Sequence, residues 1–497
     1  MSESRLPTNF GYLDDPARHH FSRKLLPYRQ FALAAALQPD KPALIAADRV
    51  LTYRSLLDVT DRLASGLVAL GLNPGEAAAI VLEDRWEHLP LFLALARIGG
   101  VHVTINPANP EAHVRAELDE LGPRLHIGRG GIRIEAILAA AGPALPDIFD
   151  DEHAPLAIRY SSGTTGNPKK TIASQRAQAF VYRALATELQ LTSDDVHLAI
   201  GSLAHAALQT ALAQLMVGGS VIVHPFDPAT AWLDCERFGI TNVMLMPTML
   251  AMALEHPHPI QRPVTICTMG AALAPPLKRK LAACLDQARL HTIYASTELG
   301  FLTSLKPSEH VSKPDSAGRA HFGTEIAIFD DAGNALPIGQ TGNIHGRGPM
   351  AVSAFIGRTR PDPAPDRFVA DGWIASGDIG FLDGDGFLYI RDRQADLIIC
   401  AGELIFPSEI EAVIVDVAGV RDVAVIGIPD PRLGHRVAAY VEGKAAPELL
   451  AKTCIERLAP NQHPHAIFQV ESLPRTTSAK ISRHLVRRAV AEGRFPS

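Results

Sequence analysis

The stretch SSGTTGNPKK at residues 161–170 gathers small hydroxyl residues, glycines and two lysines in one short segment. Gly163 and Gly166 permit positive φ, which lets a loop turn its N–H groups inward. Ser161, Ser162, Thr164 and Thr165 add hydroxyl donors, and Lys169 adds a point charge. That chemistry suits a polyphosphate. An ordinary surface turn has the same composition, and local composition does not separate the two. A Walker-type loop is excluded, because Pro168 breaks the GxxxxGK[ST] pattern. Elsewhere Thr297 and Glu298 stand side by side, Asp378 sits in SGDIG, and Lys480 precedes a basic end, KISRHLVRR. Alone, Glu298 and Lys480 read as solvated surface residues and Asp378 as a turn residue. His205, in SLAHAALQ, is either a pocket residue or a satisfied core histidine.

Such groups work from loops at strand ends, and the pattern of the chain provides them. The apolar run APLAIRY reads as a strand leading into the glycine-rich loop. From residue 42, short strands alternate with helices: two short strands and a helix in PALIAADRVLTYRSLLDVTDRLASGLVALGL, a strand in EAAAIVLED, a helix in EHLPLFLALARIGG, a strand in VHVTINP, and later SVIVHP, TNVMLMP and TICTMG. Strands alternating with helices imply helix-covered parallel sheets with sites at the carboxyl ends of the strands. After residue 300 the texture changes to short runs divided by Gly and Asp, an antiparallel, β-barrel-like region with hairpins. GFLDGDGFLYI is a strand, a tight turn and a strand. A boundary at residues 392–394 divides the chain into 1–392 and a smaller α+β unit, 393–497, large enough for its own core.

Composition narrows the function. The chain has 497 residues, 47% of them hydrophobic and 20% charged, as expected of a globular protein with large cores. A net charge of -6 argues against a nucleic-acid binder. The five cysteines form no CxxC pair, which suggests neither zinc nor a disulfide scaffold. The first residues lack an apolar core, so no secretory signal is expected and a cytoplasmic setting is the simplest. No Asp, Glu, Lys or Arg occurs between Asp195 and Asp227, yet this stretch carries histidines, glutamines and Gly218-Gly219. It reads as a buried helix and a buried strand, not as a membrane span.

Four segments, in order, resemble the adenylate-forming superfamily of acyl- and aryl-CoA synthetases: YSSGTTGNPKK, IYASTELG at 293–300, SGDIGFLDGDGFLYIRDRQADLIICAGELIFPSEIE at 376–411, and LPRTTSAKISR at 473–483. The resemblance implies a large adenylation domain and a small mobile C-terminal domain. It also implies an activity: an acid–CoA ligase that forms an acyl-adenylate from ATP and passes the acyl group to a thiol. ATP, Mg²⁺ and coenzyme A are the implied cofactors. Residues 161–166 and Lys169 would wrap the β- and γ-phosphates. Glu298 would hold Mg²⁺, Thr297 would donate to the α-phosphate, and Tyr294, with Ala295 and Ser296 beside it, would face adenine. Asp378, supported by Arg393, would bind the ribose. Lys480 would be the lysine required for adenylation. Gly402 would let a pantetheine arm pass, and Gly270, Ala271 and Ala272, in TMGAALAPP, would line adenine and the acyl group. His205 would stand at the acyl pocket.

The small residues of that loop, with no obvious charged anchor, point to an aromatic or short- to medium-chain acid. A carrier-protein phosphopantetheine is the alternative acceptor, and a nucleotide-binding scaffold with little turnover is a reading of another class. A homodimer stays open. The sequence departs from the family at Lys170 and Ala479, where Gly is usual, and at Asn343, where Glu is expected and the change reads as structural. At Ala395 an Asp or Lys hinge residue is expected, and its loss puts the ease of a domain swing in question.

Overall fold

The computed structural model describes residues 24–83, 85–144, 146–161, 169–201, 203, 206–273, 275–352, 354–356, 361–362, 370–475 and 481–496. The apolar runs form strands buried on both faces, as Ala77–Val81 and Ser220–Val223 do. They belong to two sheets. In the larger, of 13 strands, Pro42–Ala46, Ser220–Val223, Val196–Ala199, Asn242–Met244, Val264–Met269 and Ala288–Ser296 lie parallel in that spatial order. The antiparallel region expected after residue 300 continues this sheet by hydrogen bonding. It runs from Ala288–Ser296 through Gly300–Leu305, Gly318–Ala320, Phe387–Arg393, Ile374–Leu382 and Gly342–Arg347 to Glu325–Phe329. The second sheet has seven strands; Leu125–Gly128, Ala77–Val81, Val101–Thr104 and Pro155–Ser161 are parallel, and Lys169–Ser174 turns back antiparallel.

Between the two sheets lies a layer of helices. Helix His88–Ile98 is buried all round, and so is Ala206–Met216 from Ala207 to Leu215. A helix without a polar face needs cover on every side, which explains the absence of charge between Asp195 and Asp227. One core cluster joins Leu156 of the second sheet to Val221, Cys267 and Ile293 of the first through Phe92, Tyr182 and Leu212 of the helices. Among the described residues no helix is long and apolar enough to cross a membrane.

The third sheet, five strands between residues 398 and 470, forms the small C-terminal domain. Alternation along its central strands, Val420–Asp430 and Gly434–Gly443, makes two cores. Val423, Val425, Val437 and Val441 face one way with Ile410 and Leu450, whereas Ala424, Ile426 and Tyr440 face the other with Leu473 and Val486.

Candidate active site

The glycine-rich loop is held by an antiparallel hairpin. Strands Pro155–Ser161 and Lys169–Ser174 pair down to Ser161 opposite Lys169, so the loop is closed at its base. Ser162, Gly163, Thr164, Thr165 and Gly166 lie outside the described residues, as do His205 and Lys480. Lys170, the departure from Gly, is buried, and its ammonium stands 2.9 Å from Glu120.

Strand Val264–Met269 ends in Gly270, whose φ of 90° turns the chain out into the exposed Ala271 and Ala272. Its parallel neighbour Ala288–Ser296 carries the next motif. Met269 pairs with Ile293, which sets Gly270 beside Tyr294 at the carboxyl ends of both strands. The chain then makes a tight turn: the Leu299 N–H donates to Ser296 Oγ, and Gly300 at φ 71° begins the returning strand. A Cβ on Gly300 would stand 2.9 Å from the Met350 Cβ, so the turn is also closely packed. Thr297 is half-buried in this turn and Glu298 is buried beside it.

Asp378 comes from Ile374–Leu382, 84 residues further on, yet the Tyr294 hydroxyl donates to its Oδ2 at 2.5 Å. Arg393 lies directly opposite Asp378 in the sheet, with its Nε 3.4 Å from Oδ1. The Asp378 N–H donates to Ser376 Oγ, which fixes the turn of the strand. Burial, then the neighbouring Asp378 carboxylate, raises the Tyr294 hydroxyl well above its usual pKa, so it stays a donor. Tyr294, Asp378, Arg393 and Gly270 thus form one wall, with Thr297 and Glu298 at its end. A carboxylate offers roughly four lone-pair sites, and Asp378 shares its own with Tyr294 and Arg393.

Gly402 lies elsewhere, in the hairpin between Ile398–Cys400 and Glu403–Ile405. Its φ is 85° and no atom lies within 4 Å of where a Cβ would stand. Among the described residues no hydrogen bond or ion pair ties it to Tyr294, Asp378 or Arg393.

The structure also brings together a group that sequence reasoning passed over. Arg483 was part of the basic end in the sequence; here its guanidinium is 14% exposed and spans three carboxylates. It bonds Glu411 twice, at 2.9 and 2.6 Å, Asp392 at 2.6 Å and Asp396 at 3.2 Å. Burial alone would lower its pKa, but Glu411, Asp392 and Asp396 together raise it, so it is charged at any working pH. Asp392 also accepts from the N–H of Ser408, near the start of helix Pro407–Ile414. That helix start is thus held by a side chain from strand Phe387–Arg393. Asp396 takes a further bond from Arg487 at 2.6 Å. The cluster surrounds Ala395, so the residues beside the missing hinge side chain carry the bonds. The only signal in the sequence was the three-residue spacing from Lys480 to Arg483, which places nothing by itself.

Comparison with known proteins shows the family. Residues 31–355 match the AMP-binding enzyme family, and residues 409–480 match the C-terminal domain of the same enzymes. The chain belongs to the AMP-binding enzymes. Across 93% of its length it is 35% identical to an uncharacterised acyl–CoA ligase, YhfT, of Bacillus subtilis, covering 98% of that protein. It is 31% identical to the indoleacetate–CoA ligase of Aromatoleum aromaticum, over 93% of this chain and 97% of the other. Among solved structures, the o-succinylbenzoate–CoA synthetase of Bacillus subtilis with ATP and magnesium superposes with a TM-score of 0.81 at 27% identity, covering 92% of this chain and 99% of that one. The same synthetase has been solved with its acyl-adenylate, at a TM-score of 0.84. As an AMP-binding enzyme, the chain is an enzyme of the adenylate-forming, acyl-/aryl-CoA synthetase type.

Proposed function

We propose that the protein is an ATP-dependent, AMP-forming ligase that joins a carboxylic acid to the thiol of coenzyme A. The observation that carries this reading is the Tyr294–Asp378–Arg393 contact beside Gly270, which supports a nucleoside site at the strand ends next to the phosphate-loop hairpin. In the first step a carboxylate oxygen attacks the α-phosphorus of ATP and the bond to pyrophosphate breaks. In the second, the thiol sulfur attacks the acyl carbonyl, its proton is lost, and AMP leaves.

The residues divide this work. Asp378 accepts from the ribose hydroxyls and Arg393 holds Asp378 in place. Tyr294 offers its ring face to adenine while its hydroxyl is tied to Asp378. The loop at 161–166 and Lys169 hold the β- and γ-phosphates, and Lys480 neutralises charge as pyrophosphate departs. Glu298 suits Mg²⁺: a single buried carboxylate fits an ion whose other ligands are phosphate oxygens and water. When bound, that ion neutralises phosphate charge. The unit 393–497 rotates about Ala395 between the two steps and brings Gly402 to the thiol. The acid is aromatic or of short to medium chain.

The test is a screen of carboxylic acids with ATP and Mg²⁺, with and without coenzyme A, read by mass spectrometry. AMP with a new acyl-CoA is expected, and Lys480→Ala should abolish adenylate formation. AMP without a thioester would move the acceptor to a carrier protein. No acid-dependent AMP would leave a nucleotide-binding scaffold.

A further inference from the structure

Arg159 lies on strand Pro155–Ser161, two residues before the glycine-rich loop, or about 7 Å along the strand. It pairs with Thr171 on the returning strand. Alternation puts its side chain on the face of Ala157, whose neighbour is His102, beneath helices His88–Ile98 and Gln175–Glu188. This is the layer between the two sheets, at the end where the strands deliver the candidate active site. Its guanidinium donates to the Gln178 Oε1 at 2.6 Å, and among the described residues it has no carboxylate partner.

That sets it apart. Buried Arg97 has Asp61 at 3.4 Å, and Arg483 has three carboxylates. Arginine carries five donors and cannot lose its proton in a protein. A guanidinium partly withdrawn from water without a counter-charge is destabilising. Arg159 is half-buried, and desolvation lowers its pKa. Two further polar atoms nearby are buried without a partner, Tyr182 Oη and His102 Nε2. Tyr182 packs in the same core as Met269, which directly precedes Gly270.

We propose that Arg159, with Gln178 and Tyr182, is an anion subsite of the acid pocket, and that the acid carries a second anionic group, a carboxylate or sulfonate, bound there. This rests on the acid–CoA ligase reading and narrows its substrate class. A carboxylate or sulfonate would take the guanidinium's remaining donors and the Tyr182 hydroxyl, and would supply the missing negative charge. Sequence reasoning found no charged anchor because Arg159 hides within an apolar strand just ahead of the loop.

The experiment compares wild type, Arg159→Met and Arg159→Lys as full-length proteins, with matched acids: butanoate against butanedioate, propanoate against 3-sulfopropanoate, and benzoate against its dicarboxylates. Melting and calorimetric binding with AMP present come first, then acid-dependent pyrophosphate release. Without ligand, Arg159→Met should melt at or above the wild-type temperature, because the charge removed has no carboxylate partner among the described residues. At least one diacid or sulfo-acid should stabilise wild type but not Arg159→Met. The ratio of kcat/KM for that acid over its monoacid should fall about 100-fold in the variant, with Arg159→Lys between. A clear drop in melting temperature of ligand-free Arg159→Met overturns the proposal in favour of a structural arginine. So does a wild type that binds and uses only monoacids, or an unchanged ratio. Dianion binding that depends on Arg159 without any acid-dependent pyrophosphate release upholds the subsite and refutes the ligase reading.

Discussion

Replacing Arg483 with methionine tests how much the charge cluster around Ala395 stabilises the small unit and its junction with strand Phe387–Arg393. The guanidinium makes four hydrogen bonds to three carboxylates, and the Asp392 side chain is only 2% exposed. Methionine fills much of the same volume, so the loss is chiefly electrostatic. Asp392, Asp396 and Glu411 would be left close together without their shared cation, although Arg487 still reaches Asp396. Breaking one side of a buried pair destabilises by about 3–5 kcal/mol. For a unit of about 100 residues each kcal/mol moves the melting temperature by about 4–8 °C, so the C-terminal transition should fall by at least about 10 °C. Arg115→Ala is the control: its partner Glu111 lies one helical turn away with both side chains exposed, and it should cost no more than about 0.5 kcal/mol. Calorimetry and urea unfolding of the full chain give both values. A loss below about 1 kcal/mol for Arg483→Met would refute the reasoning, since it would mean that water already screens the cluster.

Asp378→Asn should raise the KM for ATP by about 10- to 100-fold with a smaller change in kcat, because hydrogen bonds to a charged group are each worth about 1.5–3 kcal/mol; an unchanged KM would remove Asp378 from the ribose. Gly402→Ala meets no atom but must hold alanine at φ 85°; it should slow thioester formation more than adenylate formation, and equal slowing of both steps would count against its role. Acid should unfold the protein early. Burial pushes His197 down to about 4, against the hydrogen bond it makes to Asn242, and pushes His102 down to about 3. The unfolded chain binds those protons near pH 6.5, so stability is full above that value and is lost as pH falls toward 4. His197 alone contributes about 3 kcal/mol of that loss. Urea midpoints at pH 7.5 and 5 should therefore differ, and His197→Gln should flatten the difference.

Much of the fold was legible because its signals are local. The apolar run AAAIV, the helix EHLPLFLALARI with its closing glycines, and the Asp-Gly turn between Ile374–Leu382 and Phe387–Arg393 each follow from side-chain periodicity and backbone freedom within a few residues. The types of the site residues were legible too, since binding a polyphosphate requires glycines, hydroxyls and a cation, and the four motifs occur in order. What only tertiary structure decided is which of them meet. Tyr294 and Asp378 are 84 residues apart, on strands with three others between them in the sheet, so the curl of the sheet sets one hydroxyl on the other's carboxylate. Arg159 and Arg483 show the same limit more sharply. In the sequence both are ordinary arginines; among the described residues one is half-buried with no acid beside it and the other meets three, because the charge an arginine meets depends on packing from distant strands and helices. Sequence spacing fixes the direction of a side chain from its own element, but the electrostatic environment sums over neighbours that the chain delivers only when folded.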